Sequence, residues 1–238
     1  MERTILFSLR QESRLKEWNK MKYIKKSNPP IELITYRKTP GATYQDLYDN
    51  HKDIWELTRL SLAEEQGYIC CYCGQRISGF QGTQIEHVFA KGTAAYEKMQ
   101  LDYESNLLAC CDGGKYARRL DPTIPYADLY CDTPKESTPI PVTPLNPLCE
   151  EKFLYGSDGD IVGVGADAEA TIDILNLRSP ILKNKRKSAI DAYSMFATID
   201  WQREYERLNN KNSNGEYTEF CFVLRSYIEC FHAESLHS

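Results

Sequence analysis

Three cysteines within four positions mark the region in which chemistry is most concentrated, GYICCYCGQRISGFQGTQIEH at residues 67–87. Cys70 and Cys73 have the C-x-x-C spacing that lets two thiolates reach one tetrahedral zinc ion without backbone strain. The same spacing arises by chance in roughly one chain in three of this cysteine content, and buried structural cysteines are the alternative. A zinc site therefore needs a second pair of ligands.

The second pair of zinc ligands is expected further along the chain. Either Cys110 or Cys111 can supply the third ligand and Cys131 the fourth, although the gap to Cys131 is wide for a zinc knuckle. We favour Cys111, because Cys110 continues the apolar run NLLA and suits packing. The predicted zinc ligands are therefore Cys70, Cys73, Cys111 and Cys131.

An acid and a histidine stand side by side at Glu86 and His87. Neighbouring side chains on a strand point to opposite faces, so one of the two can bind a metal ion while the other takes a proton. A neutral imidazole suits a general base that activates water. A surface glutamate beside a satisfied surface histidine is the alternative for an isolated pair.

The elements that must position these residues come from the apolar pattern. A helix over residues 43–66, with Gly67 as its C-cap, is predicted to precede the cysteines. QRISGFQGTQIEHV then predicts a β-hairpin around a glycine-rich turn, and IELITY predicts a short extended piece before the helix. Residues 112–148 are expected to form irregular loop, and GSDGD is expected to form a second hairpin turn. Three more helices are expected over 168–176, 179–199 and 217–233.

The bulk composition is that of an ordinary folded chain, with 42% hydrophobic residues among 238, nine cysteines and a net charge of −5. We see no signal peptide or transmembrane helix, so a cytoplasmic chain without a membrane partner is expected, and disulfides are disfavoured there. Residues 1–40 carry ten Lys/Arg against four Asp/Glu, a local +6 that leaves −11 on the remainder. Because the chain is acidic outside this segment, it is not expected to bind nucleic acid strongly without a partner.

The chemical residues follow one another in a recognisable order: the C-x-x-C pair, Glu86-His87, Asn106-Leu107, Cys110-Cys111 and Cys131-Asp132-x-x-Lys135. This order resembles the HNH nucleases, which carry a ββα-metal motif. The resemblance implies that His87 activates water, that Glu86 binds a divalent cation and that Asn106 braces the loop. Asp132 takes the final ligand position, where His or Asn is usual, and its carboxylate suits Mg²⁺ or Mn²⁺.

The expected fold is therefore α+β, mainly α-helical, with an embedded ββα-metal unit and a structural zinc knuckle. Residues 1–27 are expected to form a basic helical extension that could serve in docking, 28–150 the nuclease core with its zinc site, and 151–238 a helical part packed on that core. Lys91 or Lys115 is a candidate for holding phosphate, with a solvated surface lysine as the alternative.

Longer segments resemble one group of HNH nucleases, the PtuB family of Septu anti-phage systems and of some retron systems. The resemblance covers about residues 28–195 and rests on LAEEQGYICCYCGQRI, IEHVFAK, YESNLLACCDGG, LYCDTPKES, VTPLNPLCEEKFLYGSDGDIVG and ATIDILNLRSPILKNKR. It implies a DNA-cleaving effector that acts with PtuA, an ATPase with an ABC-like head. In retron versions it also implies a reverse transcriptase with its RNA–DNA product.

Three other functions remain open. The effector could cleave host RNA such as tRNA, since nothing in the motif separates DNA from RNA. The chain could be a catalytically dead zinc-binding interaction module, although Glu86, His87, Asn106 and a final carboxylate are all present. Redox sensing by the cysteines would require an exposed thiol of low pKa.

Overall fold

A computed structural model describes residues 21–90, 92, 94–195 and 199–236. The four strands are β1 (Thr83–His87), β2 (Leu107–Cys111), β3 (Phe153–Tyr155) and β4 (Ile161–Gly163). The α-helices are α1 (Ile31–Tyr36), α2 (Tyr44–Asn50), α3 (Lys52–Glu65), α4 (Lys115–Leu120), α5 (Asp132–Lys135), α6 (Ala166–Ile174), α7 (Pro180–Ser194), α8 (Trp201–Asn209) and α9 (Cys221–Phe231). Short 3₁₀ turns cover Ala94–Met99, Tyr126–Asp128, Pro147–Glu151 and Ala233–Leu236. The predicted α+β class is confirmed.

Two small antiparallel sheets organise the chain. In the first, β1 pairs with β2 so that His87 lies opposite Leu107 and Glu86 opposite Leu108. Every residue of β2 is buried, and α3 packs across both strands. The second sheet pairs β3 with β4 around the GSDGD turn, as predicted. The first sheet therefore fixes where Glu86 and His87 lie relative to α3.

The sequence predicted a hairpin within QRISGFQGTQIEHV, and this prediction is wrong about which strand pairs with β1. The residues after the cysteines make only an isolated bridge, between Ile69 and Arg76, and β1 pairs instead with β2, which comes later in the chain. The wholly apolar run Leu107–Cys111 offers β1 more buried area than a neighbouring polar segment does, so hydrophobic burial selects the distant partner. Glycines with positive φ, Gly79 and Gly82, still make the predicted turn.

The end of α3 sets the direction of the cysteine turn. The Gly67 N–H donates to the Glu64 carbonyl at 3.0 Å and the Tyr68 N–H to the Ala63 carbonyl at 2.8 Å, the paired bonds of a Schellman motif. Gly67 has a φ of +63° and packs against the ring of Tyr217, where any Cβ would collide. The predicted role of Gly67 in ending this helix is confirmed, although His51 divides the expected 43–66 helix into α2 and α3.

The segment IELITY is a helix and not the extended piece expected. Its β-branched residues favour strands, but Leu33 and Tyr36 are spaced so that both face the core from one side of a helix. Pro30 supplies a start at which no backbone donor is needed. Packing of this face against α3 overrides the local preference.

The remaining expectations are met in part. The loop expected over 112–148 contains α4, α5 and a 3₁₀ turn, so that prediction is wrong over these elements. Helices occur near all three expected C-terminal positions, but α7 ends at Ser194 and a further helix, α8, precedes α9. Most of the predicted basic helix at 1–27 lies outside the described residues, and residues 21–27 are not helical.

One hydrophobic core joins the two main predicted parts of the chain. Its buried members run from Met21 to Ile228 and include residues on both sides of position 150. The C-terminal helix α9 contacts α7, α8 and β3, which all lie within residues 151–238. None of the described helices combines the length and the apolar character needed to span a membrane.

Candidate functional site

Four buried cysteines from three separate segments come together beneath the first sheet. The sulfurs of Cys70, Cys110, Cys111 and Cys131 all lie within 4.8 Å of one another. Cys70 belongs to the turn after α3, the adjacent pair ends β2, and Cys131 directly precedes α5. The cluster therefore brings together the turn after α3, the strand that pairs with β1, and the start of α5, which carries Asp132.

The distances between the sulfurs test whether the cluster suits a metal ion. Zn–S bonds of about 2.3 Å in a tetrahedron place the sulfurs about 3.8 Å apart, whereas a disulfide needs about 2.05 Å. The Cys70 sulfur lies 3.7 Å from that of Cys110 and 3.9 Å from that of Cys131. All nine cysteines are free thiols. The cluster could hold a metal ion such as zinc.

The observed group differs from the predicted zinc set in one member. Cys110, which was expected to be a packing residue, belongs to the group. Cys73, which was expected to be a ligand, is buried at its edge with its sulfur 3.8 Å from that of Cys111. Cys70, Cys111 and Cys131 are common to both sets, so five sulfurs compete for four positions.

Two carboxyl groups meet beside this cluster. Glu86, only 2% exposed on β1, accepts hydrogen bonds from the Tyr72 hydroxyl at 2.8 Å and from the Lys135 ammonium at 2.9 Å. The Asp132 carboxyl, on the first residue of α5, is in hydrogen-bonding contact with Glu86. Burial, reinforced by Asp132 and opposed by Lys135, raises the pKa of Glu86 to about 8. The expected ligands Glu86 and Asp132 are therefore brought together.

Lys135, which the sequence motif includes without giving it a role, is a member of this site. It is 1% exposed, and its ammonium also donates to the His87 carbonyl at 3.0 Å. Lysine is almost never buried without a partner, and here one carboxyl group and one carbonyl satisfy it. Its position three residues after Asp132, on the same short helix, is the signal that could have identified it.

His87 is held in a defined orientation. Its Nε2 lies 2.9 Å from the Gln100 carbonyl, and the edge of Tyr44 meets its ring at 4.4 Å and 87°. A carbonyl only accepts, so in the neutral ring the proton sits on Nε2 and Nδ1 carries the lone pair. Nδ1 is therefore the basic nitrogen of the neutral ring.

Asn106 holds the segment that joins the two strands of the first sheet. Its Oδ1 accepts from the Phe89 N–H at 2.7 Å, and its Nδ2 donates to the carbonyls of Met99 at 2.9 Å and Phe89 at 3.2 Å. The residue is fully buried. These bonds connect the exit from β1 to the approach to β2, which is the bracing position expected for Asn106.

The acid pair and His87 line one cleft of about 730 Å³. Basic side chains from two helices line its wall. They are Lys52 and Arg59 on α3, and Lys115 and Arg119 on α4. Of the two lysines considered for phosphate binding, Lys115 lies in this wall and Lys91 lies outside the described residues. Arg59, Lys52 and Arg119 were not identified from the sequence, although the spacing of the first two along α3 signals one shared face.

Glu86 and Asp132 could together hold a hard divalent cation. Two carboxyl groups in contact are unfavourable neighbours when both are ionised, and oxygen ligands of this kind are those that Mg²⁺ and Mn²⁺ prefer. Lys135 offsets part of the negative charge of the ionised pair, and a bound cation would offset the rest. The arrangement can therefore place a cation, a base and basic side chains around one anionic group. Comparison with known proteins adds no relative, because no family model and no curated protein matches the chain.

Proposed function

We propose that this chain is a metal-dependent nuclease of the HNH type that hydrolyses phosphodiester bonds. The observation that carries the proposal is the meeting of Glu86, Asp132 and His87 in one cleft walled by four basic side chains. Carboxylates supply cation ligands, imidazole supplies a base and the basic side chains attract a phosphate. The resemblance to the PtuB family supports the same function.

The chain's own residues have distinct parts in the proposed reaction. Glu86 and Asp132 would hold a Mg²⁺ or Mn²⁺ ion, which would supply Lewis-acid polarisation of the phosphate and charge stabilisation for the leaving oxygen. His87 accepts a proton from the attacking water at Nδ1, while the Gln100 carbonyl and Tyr44 keep its ring oriented. Asn106 and Lys135 maintain the backbone at His87.

The cysteine cluster has a structural part in this proposal. A zinc ion bound by cysteines from all three segments would connect β2 and the start of α5 to the turn after α3. Since Glu86 and Asp132 stand on segments next to those ligands, the cluster would fix the distance between the two carboxyl groups. A ββα-metal unit with this support is the arrangement we infer.

The proposed setting is an anti-phage defence complex with the ATPase PtuA and, in a retron version, a reverse transcriptase with its RNA–DNA product. The support is electrostatic. The chain has a net charge of −5, so a partner's basic surface would add attraction for nucleic acid. DNA is the proposed substrate, with host RNA such as tRNA as the alternative.

Cleavage of plasmid DNA and of tRNA, each assayed with Mn²⁺ or Mg²⁺ for the chain alone and with PtuA, tests the function. We expect His87→Ala to lower the cleavage rate roughly 100- to 10,000-fold, because the general base is lost. His232→Ala is the matched control, since His232 stacks on Trp201 and does not line the cleft. Equal cleavage by His87→Ala and the control would overturn the assignment, and the substrate that is cut decides between DNA and RNA.

A further inference from the structure

One wall of the cleft has an aromatic and basic surface, of which the proposed hydrolysis uses only the positive charge. It consists of Tyr48, at the end of α2, together with Lys52, Trp55 and Arg59 on α3, here called the α3 wall. These four residues are spaced by four, three and four positions, so their side chains lie on the same side of the two consecutive helices. All four line the same cleft as Glu86, His87 and Asp132.

Within the α3 wall, rings and cations alternate. The Lys52 ammonium lies 4.4 Å from the centre of the Tyr48 ring and 4.2 Å from that of Trp55. The Arg59 guanidinium lies 4.6 Å from the Trp55 ring, and Tyr48 meets Trp55 edge-on at 5.2 Å. Cation–π contacts of this kind hold long basic side chains in place without neutralising their charge.

The α3 wall is also joined to the catalytic histidine. The Trp55 indole donates to the Tyr44 hydroxyl at 2.8 Å, and the Tyr44 ring packs on His87. Trp55 is 7% exposed and therefore fixed in position. A group bound against the wall would thus lie at a defined place relative to His87.

The wall has binding capacity that the described part of the chain leaves unused. Tyr48 is 44% exposed, so part of its ring is open to a ligand. The Arg59 Nε has no hydrogen-bond partner among the described residues, and neither Arg59 nor Lys52 forms an ion pair there. An anionic group that accepts hydrogen bonds from this guanidinium would therefore be favoured.

We propose that the α3 wall is a subsite for an unpaired nucleotide next to the scissile phosphate. The base stacks on Tyr48, and the neighbouring phosphate is held by Lys52 and Arg59. A base exposes its face to a side chain only after it leaves the duplex stack, so the subsite selects single-stranded, looped or frayed nucleic acid. This inference rests on the proposed nuclease function and narrows its substrate.

Binding measured without cleavage tests the subsite. The full-length chain carrying His87→Ala is titrated, with Mn²⁺ present, against a short fluorescent single strand and against a blunt duplex of the same sequence, and anisotropy gives each Kd. Adding Tyr48→Ala is expected to weaken single-strand binding about five-fold or more, whereas Tyr48→Phe keeps the stacking ring and stays within about two-fold. Tyr126→Ala is the control, because Tyr126 is 61% exposed and does not line the cleft.

Arg59 gives an independent arm of the same experiment. Arg59→Gln is expected to weaken single-strand binding and to reduce the slope of log Kd against log salt by about one, because one phosphate contact is lost. Equal Kd values for Tyr48→Ala and Tyr126→Ala would overturn the subsite, as would a Tyr48→Phe loss as large as that of Tyr48→Ala. Failure of the chain to bind either oligonucleotide at low salt would overturn it too.

The two proposals fail in distinguishable ways. If plasmid or tRNA is cut but Tyr48→Ala binds single strands like the control, the subsite is wrong and the nuclease stands. If nothing is cut but Tyr48→Ala alone loses single-strand binding, the subsite stands without hydrolysis.

Discussion

At the scale of single residues, the site is defined by which polar groups are buried together. Glu86 would be unfavourable alone in the core, and Tyr72, Lys135 and Asp132 together satisfy it. The sequence identified Glu86, His87, Asn106 and Asp132 because they follow a known order. The same order included Lys135 but gave it no role, because a lysine in a loop-like segment is usually solvated and only the folded chain shows its burial.

Lys135→Met tests the buried pair directly. The His87 carbonyl and Glu86 each lose a donor, so the free energy of unfolding at neutral pH is expected to fall by about 2 kcal/mol. Urea denaturation measures this loss. Lys38→Met, at an exposed position, is the control and is expected to change stability by less than about 0.5 kcal/mol.

The same variant has a predictable dependence on pH. Because the Glu86 pKa is raised to about 8, the folded metal-free chain holds this proton while the unfolded chain releases it, and stability falls as pH rises from about 4.5 towards 8. Without Lys135 the pKa rises further, so the fall continues above pH 8 and the deficit of Lys135→Met is larger at pH 9 than at pH 6. A deficit that shrinks with rising pH would contradict the assigned ion pair.

At the scale of elements, long-range packing decides what local pattern leaves open. The α3 helix, its glycine end and the β3–β4 hairpin followed from periodicity and turn residues, which are local signals. IELITY became a helix, and β1 took β2 as its partner, because burial against distant segments outweighed local preference. The inclusion of Cys110 in the sulfur group likewise depends on how the end of β2 meets the turn after α3, which no spacing rule specifies.

Cys131→Ser tests whether the sulfur cluster holds these elements together. We expect about one zinc ion per wild-type chain, loss of that ion in the variant, and a fall in Tm of about 10 °C, which corresponds to roughly 3 kcal/mol for a chain of this length. Metal analysis by mass spectrometry and a melting curve measure the two effects. Cys149→Ser is the control, because Cys149 is buried away from the group and bonds to the Met21 carbonyl.

The outcome of this experiment would also settle the ligand set. Unchanged zinc content in Cys131→Ser would contradict a metal site that includes this residue. Zinc content is also measured for Cys73→Ser and Cys110→Ser. The variant that loses zinc identifies the fourth ligand, because the observed group and the predicted set agree on the other three.

At the scale of the whole molecule, charge and core explain how the site is presented. The chain is acidic overall, and the described cleft brings four basic side chains together with four carboxyl groups. Such a local mixture of charges suits a phosphate held at one place better than a broad surface for nucleic acid. The C-terminal part and the part that carries the site share one hydrophobic core among the described residues.

The central claim is that Glu86 and Asp132 hold the cation with which phosphodiesters are cut. The most direct measurement is the rate of nucleic-acid cleavage as a function of Mn²⁺ concentration for the wild type and for Asp132→Asn, with Tm and zinc content measured on the same samples. We expect the variant to cut at least about 100-fold more slowly at equal Mn²⁺, because it loses a cation ligand. We expect Tm and zinc content to stay unchanged, because Asp132 is only partly buried. Equal rates at every Mn²⁺ concentration would contradict the claim.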